Sequence, residues 1–316
     1  MEQKKFDYNS FIGMILLAGI ALWWLNSNKP DETLETKTEQ VVNIGSQAMN
    51  DDVWLTVAKR CNELLAQDDV DGIVVTHGTD TKEATGYFLN LTVHSDKPIV
   101  LVSSMRNSTS ISADGPKNLF DGIITAASPK SVGMGVLVVS NDYIYCARDL
   151  TKTNTTNVAT MKSPNWGPIG VAFNGQPYFY HTTLRKHTSQ SEFETGDLTE
   201  LPKVDIVYGY SNMDASVIEH FVKKKSKGII FVGVGNGNIY PEALEALSKA
   251  REKGVVVVRT SRVGSGRTTL ESEVDDEALG FVVADDLNAQ KARVLLMLAL
   301  TKTDDISKIQ EYFFTY

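Results

Sequence analysis

The chain is poor in the residues that build several kinds of site. It has two cysteines in 316 residues, too few for a disulfide framework. Cys61 falls in a helical pattern and Cys146 in the strand-like run YIYCAR, so both read as packed thiols. No C-x-x-C or H-x-x-x-H occurs and the five histidines are scattered, so no metal site is expected. There is no basic excess: the net charge is −8, which excludes nucleic acid as the main partner because phosphates would go unneutralised. Internal repeats and low-complexity tracts are absent as well. Hydrophobic residues make up 42% and charged residues 22%, ordinary for a globular chain and incompatible with wholesale disorder.

The first 28 residues differ from the rest. Lys4 and Lys5 are followed by an uncharged run over residues 8–28, strongly apolar across residues 11–25 and carrying Trp23 and Trp24. At about 1.5 Å per residue a helix over that run spans a ~30 Å hydrocarbon core. The lysines would stay inside and the tryptophans would sit at the far interface, placing the remainder outside the cytoplasm. A cleaved signal peptide has a similar pattern, but no A-x-A-like site follows; a buried helix is the third reading. Residues 29–40 are polar and acidic and read as a linker.

Beyond the linker, short β runs alternate with helical patterns: WLTVAKRCNELLAQ, GIVVTHG, KEATGYFLNLTV, KPIVLVSS, DGPKNLFDGIITAAS, VGMGVLVVSN and YIYCARD. That alternation predicts a largely parallel sheet covered by helices. A polar stretch near residues 181–202 interrupts it. A second α/β set follows, and AQKARVLLMLALT reads as the closing helix. The expected organisation is an N-terminal α/β domain over residues 41–185 with a mixed or parallel sheet, a linker at 186–203, and a smaller parallel α/β domain over 204–316.

Three motifs carry polar chemistry. THGTDT at residues 76–81 lies between a buried strand and a helix, where open α/β sheets bind ligands. Gly78 permits close approach. Thr79 and Asp80 place a hydroxyl beside a carboxylate, although Asp80 with Glu83 also has the spacing of a capping box. TKTNTT at residues 151–156 sets Lys152 among hydroxyls, which a lysine can deprotonate or orient; the alternative is a solvated, turn-rich loop. GVGNGN at residues 233–238 follows a strand, but it is not a G-x-G-x-x-G fingerprint and gives little support to dinucleotide binding.

Together with NIGSQ, VVTHGTDTKEATGYFLNLTV, TKTNTTNVATMKSPNWGPIG, RKHTS, VVRTSRV, EVDD and QKARVLLMLALT, these motifs resemble the type II bacterial L-asparaginases from about Glu39 to the C-terminus. The resemblance implies a two-domain asparaginase fold and hydrolysis of the asparagine side-chain amide by a threonine nucleophile, without cofactor or metal. It implies catalytic roles for Thr79, Asp80 and Lys152, with Lys152 as proton acceptor oriented by Asp80. Ser46 and Gln47 would hold the substrate α-carboxylate and Asp80 its α-ammonium. Asn238 and Glu273 would be donated by a neighbouring copy in a homotetramer. L-glutamine is a second candidate substrate, and the expected location is the periplasm, with residues 8–28 as a membrane anchor. The first thirty residues resemble the first transmembrane helix of a Bacteroidota membrane protein insertase. The asparaginase T-G-G-T-I-A turn, with its own nucleophilic threonine, does not occur in this sequence; neither Thr33 nor Thr36 replaces it. A truncated asparaginase fused to an insertase start is the expectation, with an impaired enzyme or a non-catalytic, membrane-anchored asparagine- or aspartate-binding protein as the two outcomes.

Overall fold

The computed structural model describes residues 35–316. The expected membrane span at residues 8–28 therefore lies outside the described residues. Among the described residues no helix is long and apolar enough to cross a membrane.

The first unit runs α1 (Asp51–Leu65), β1 (Ile73–Thr76), α2 (Lys82–Thr92), β2 (Ile99–Val102), α3 (Gly115–Ala126), β3 (Val136–Ser140), β4 (Tyr143–Cys146), β5 (Thr151–Lys152), β6 (Met161–Lys162), β7 (Gly170–Phe173) and β8 (Gln176–Phe179). Its six-stranded sheet has the order β1-β2-β3-β4-β7-β8. β1, β2 and β3 are parallel; β4, β7 and β8 are added antiparallel. The sheet is thus mixed, more antiparallel than the βα alternation suggests. β2 and β3 are buried throughout, which is why both read as continuous aliphatic runs. β1 pairs only with β2 among the described residues, and Ile73, Val74 and Val75 are half-buried on that outer edge.

The second unit contains β9 (Val204–Tyr208), α4 (Ser216–Lys223), β10 (Gly228–Gly233), α5 (Pro241–Glu252), β11 (Val256–Ser261), α6 (Asp276–Leu279), β12 (Val282–Val283), α7 (Ala289–Ala299) and α8 (Ile306–Thr315). Its four strands, ordered β12-β11-β10-β9, are all parallel. α7 does not close the chain as expected: α8 follows it, capped by Asp305, whose Oδ1 accepts from Lys308 N at 3.0 Å. Such caps stabilise the orphan N–H groups of a first turn; Asn50 caps α1 and Asn288 caps α7 in the same way.

One apolar core joins the two units. Leu89 and Leu91 of α2, Leu101 of β2, Leu295 and Leu298 of α7, and Ile230 of β10 belong to it, all fully buried. Each large apolar side chain so buried contributes about 1.5–3 kcal/mol. Trp54 stacks on Phe88 at 5.3 Å and donates Nε1–H to Thr85 Oγ1 at 2.9 Å, fastening α1 to α2. Cys61 and Cys146 are buried free thiols, as expected, and burial pushes both up to about 12.

Polar ties cross the same seam. Arg148, after β4, donates to Asp286 Oδ1 at 2.7 Å, and Trp166 Nε1–H donates to Oδ2 at 2.9 Å. Burial raises the Asp286 carboxyl, but the Arg148 hydrogen bond and charge outweigh it and bring it down to about 2. A depressed carboxylate contributes stability that is present above the unfolded value near ~3.9 and is lost as pH falls towards 2, about 2 kcal/mol in all. Carbon NMR titration of Asp286 should give a midpoint of about 2. A midpoint near ~4 would mean that the Arg148 contact is not formed in solution.

Candidate active site

The site is assembled where β1 and β2 end. Thr76 lies opposite Val102, and His77 N–H donates to Val102 O at 2.9 Å. The chain then turns through Gly78, Thr79 and Asp80 into α2. His77 donates Nδ1–H to Gly78 O at 2.7 Å. Its Nε2 is buried and has no hydrogen-bond partner among the described residues. Burial lowers the His77 pKa, so the ring is neutral at pH 7.

Ser46 opens a short 3-10 turn, Ser46–Ala48, and is buried. Thr81 Oγ1 donates to Ser46 O at 2.7 Å, holding this turn against the start of α2. Ser46 Oγ packs so closely on Gly78 that a side chain there would collide with it. Gln47 is exposed and folds back over Gly45. Gly78→Ala should therefore displace Ser46 from the start of this turn.

Lys152 approaches from a separate element. The two-residue strand β5 pairs antiparallel with β6, Thr151 opposite Lys162 and Lys152 opposite Met161. Only Thr151 and Lys152 are strand; residues 153–156 are an exposed, irregular loop, as the loop reading has it. Thr153 N and Oγ1 both donate to Thr160 O, and Asn154 Oδ1 accepts from Thr156 N and Asn157 N, each at 2.9 Å. The ribbon so fixed carries Lys152 Nζ to 2.9 Å from Thr79 Oγ1 and 2.7 Å from Asp80 Oδ1. The Lys152 side chain is 19% exposed and that of Asp80 56%, so the group opens to solvent on the Asp80 side.

The capping-box reading of Asp80 is also corrected. Thr81 is the N-cap of α2 and makes no side-chain cap bond. Asp80 turns to Lys152, and Glu83 accepts from Asn288 at 3.2 Å and Gln290 at 2.9 Å, so Glu83 joins α2 to α7.

Asn238 and Glu273 lie on two loops of the second unit that are tied together through Asn236, Thr269 and Ser272. Asn238 closes a bridge to Val234, with Gly235 and Gly237 at φ 53° and 80°, a conformation that glycine adopts without strain. Asn236 Nδ2 donates to Thr269 Oγ1 at 2.8 Å and Ser272 Oγ at 2.9 Å. Glu273 is exposed. No hydrogen bond links Asn238 or Glu273 to Thr79, Asp80 or Lys152 among the described residues.

Arg259 organises these loops and was not anticipated. Fully buried on β11, it donates to both Asp276 oxygens at 2.6 Å, and to the carbonyls of Gly237 at 3.1 Å, Thr269 at 3.2 Å and Asn236 at 3.3 Å. The readable signal was an arginine inside the aliphatic run VVVVRTS, since a charge there must be paired. Among the described residues no cluster of histidine, cysteine and acidic side chains could hold a metal ion.

A hydroxyl, an amine and a carboxylate thus meet beside the strand ends of the first unit, and the chain, a two-unit α/β hydrolase, belongs to the asparaginase/glutaminase family. The family described as Asparaginase, N-terminal matches residues 23–185, and the Glutaminase/Asparaginase C-terminal domain matches residues 203–313. The chain is 54% identical over 280 residues to L-asparaginase 2 of Escherichia coli strain K12, covering 89% of this chain and 80% of that protein. It is 50% identical over 277 residues to the probable periplasmic L-asparaginase of Haemophilus influenzae, covering 88% and 79%. It is 43% identical over 279 residues to the glutaminase-asparaginase of Pseudomonas fluorescens biotype A, covering 88% and 77%.

Proposed function

We propose that the chain hydrolyses the side-chain amide of L-asparagine to L-aspartate and ammonia. The observation that carries this reading is Lys152 Nζ, within hydrogen-bond reach of both Thr79 Oγ1 and Asp80 Oδ1. Thr79 Oγ1 attacks the amide carbon as its proton passes to the Lys152 amine. The C–N bond breaks, the proton is returned to the leaving nitrogen, and ammonia departs. Water then hydrolyses the acyl-enzyme. Such a nucleophile and base at 2.9 Å meet the geometric requirement for nucleophilic catalysis.

Ser46 and Gln47 hold the α-carboxylate and Asp80 the α-ammonium, so the zwitterion is fixed at both ends and the attack becomes effectively intramolecular. Asn238 and Glu273 complete the site across an interface between copies in a homotetramer. The name of the Pseudomonas relative makes L-glutamine a second substrate to test, and that of the Haemophilus relative favours the periplasm. Anchorage by residues 8–28, the insertase-like start and the domain limits 41–185 and 204–316 belong to the same reading. The second reading is a membrane-anchored protein that binds asparagine or aspartate without cleaving it.

Ammonia release by the purified chain, read with calorimetry of L-aspartate, separates the two. Release together with binding supports the hydrolase. Binding without release establishes the binding protein, and neither one removes both.

A further inference from the structure

A second hydroxyl lies against a second lysine at the same strand ends. Lys82 opens α2 two residues after Asp80, and its side chain is fully buried. All eleven residues of α2 are buried, so Lys82 has no route to carry its charge into water. Its Nζ lies 2.5 Å from Ser103 Oγ, its one hydrogen bond among the described residues. Ser103 directly follows β2, and its carbonyl accepts from Asn118 Nδ2 at 2.8 Å, which pins the backbone there. Because Thr76 faces Val102 across the parallel pair, Ser103 and the segment from His77 to Asp80 leave the sheet side by side. Ser103 is half-buried, so it is not sealed from solvent as Lys82 is.

An ammonium offers three donors, and an uncompensated buried charge is costly. Burial lowers Lys82 to about 7, with Asp114 pulling it upward and Lys152 adding to the lowering. The groups that face it are Asp114 at the head of α3, Lys152 on β5, and His77 beyond β1, whose own pKa falls through burial and further through the Lys82 charge. A neutral amine in this position accepts the Ser103 hydroxyl proton, the arrangement of a serine nucleophile with a lysine base.

We propose that Ser103 is a second nucleophile of this site, with Lys82 as its general base, acting on the same side-chain carboxamide as Thr79. The inference rests on the amide-hydrolase reading. Ser103 Oγ bonds to the carboxamide carbon as its proton passes to Lys82 Nζ. The C–N bond breaks, and Lys82 returns the proton to the leaving nitrogen, which departs as ammonia. Water attacks the ester; Lys82 takes a proton from it and passes it to Ser103 Oγ as the C–O bond breaks. Nothing is oxidised or reduced.

The test treats the purified full chain with a fluorophosphonate, a serine-directed electrophile, across about pH 6 to 9, and maps the adduct by peptide mass spectrometry. The expected result is an adduct on Ser103 whose rate climbs with pH through a midpoint near 7, the value to which burial lowers Lys82. The adduct should vanish in Ser103→Ala and form about a hundredfold more slowly in Lys82→Met, the usual weight of a general base. In a parallel arm, the ammonia release that survives Thr79→Ala should disappear in Thr79→Ala/Ser103→Ala. No adduct on Ser103 in the wild-type chain, or a rate unmoved by Lys82→Met, overturns the proposal, as does residual turnover indifferent to Ser103. Labelling of Ser103 in a chain that releases no ammonia overturns the asparagine reading while supporting the serine–lysine pair.

Discussion

Thr79→Ala and Lys152→Met should each lower ammonia release from L-asparagine by about a hundredfold to ten-thousandfold, the range over which nucleophiles and their bases act. Lys152 is the group that touches both Thr79 and Asp80. Its loss takes away the proton acceptor and also frees the half-exposed Asp80 carboxylate from its partner. Ser46 and Gln47 remain, so affinity for L-aspartate should change far less than turnover. Combining the two substitutions should cost little more than either alone, because residues that act as a unit are not additive. What turnover survives is expected to run through Ser103. Steady-state assays give kcat and KM separately. A rate within about tenfold of wild type in both single variants would be too small a loss for a nucleophile and its base, and the chemistry would have to be assigned elsewhere.

Arg259→Leu should destabilise the second unit by about 3–5 kcal/mol, the usual cost of removing one partner from a buried ion pair. Arg259 is fully buried and Asp276 is 1% exposed. The substitution strands that carboxylate and releases the carbonyls of Asn236, Gly237 and Thr269. Those carbonyls belong to the loops that carry Asn238 and Glu273, so if these residues complete the site as proposed, KM should rise even in the fraction that stays folded. The midpoint of urea unfolding reads the first effect and substrate titration the second. Asp276→Asn keeps part of the hydrogen bonding and should fall between the variant and wild type. An unchanged unfolding midpoint in Arg259→Leu would show that the pair contributes nothing to stability.

The parts of this architecture that were legible in the sequence are those governed by local pattern. β2, β3, β10 and β11 are short aliphatic runs because both of their faces are covered, and they announce themselves as such. α2 was found, but its all-round burial was not, since a leading lysine reads as solvated until its neighbours are placed. The β7–β8 hairpin was missed although its signal is present: Asn174 and Gly175, at φ 50° and 74°, form the Asn-Gly turn that joins two antiparallel strands. Pro177 is tolerated in β8 because that strand lies at the sheet edge. α8 was overlooked behind the stronger apolar pattern of α7.

For the site, Thr79 and Asp80 were legible because a strand, a glycine and a helix start lie in one segment. That Asp80 pairs with Lys152 rather than capping its own helix follows from the β5–β6 ribbon. Two residues in a strand are too few to show any period, and the ribbon forms from contacts between residues 151 and 162. Lys82 with Ser103 and Arg259 with Asp276 are tertiary pairs, invisible to a reading that proceeds along the chain.

A crystal structure of the chain with L-aspartate tests the central claim most directly. The account predicts one bound zwitterion, its α-carboxylate on Ser46 and Gln47, its α-ammonium on Asp80, and its side-chain carboxyl within about 3 Å of Thr79 Oγ1. Aspartate held anywhere else, or turned so that its side chain points away from Thr79 and Lys152, would contradict it.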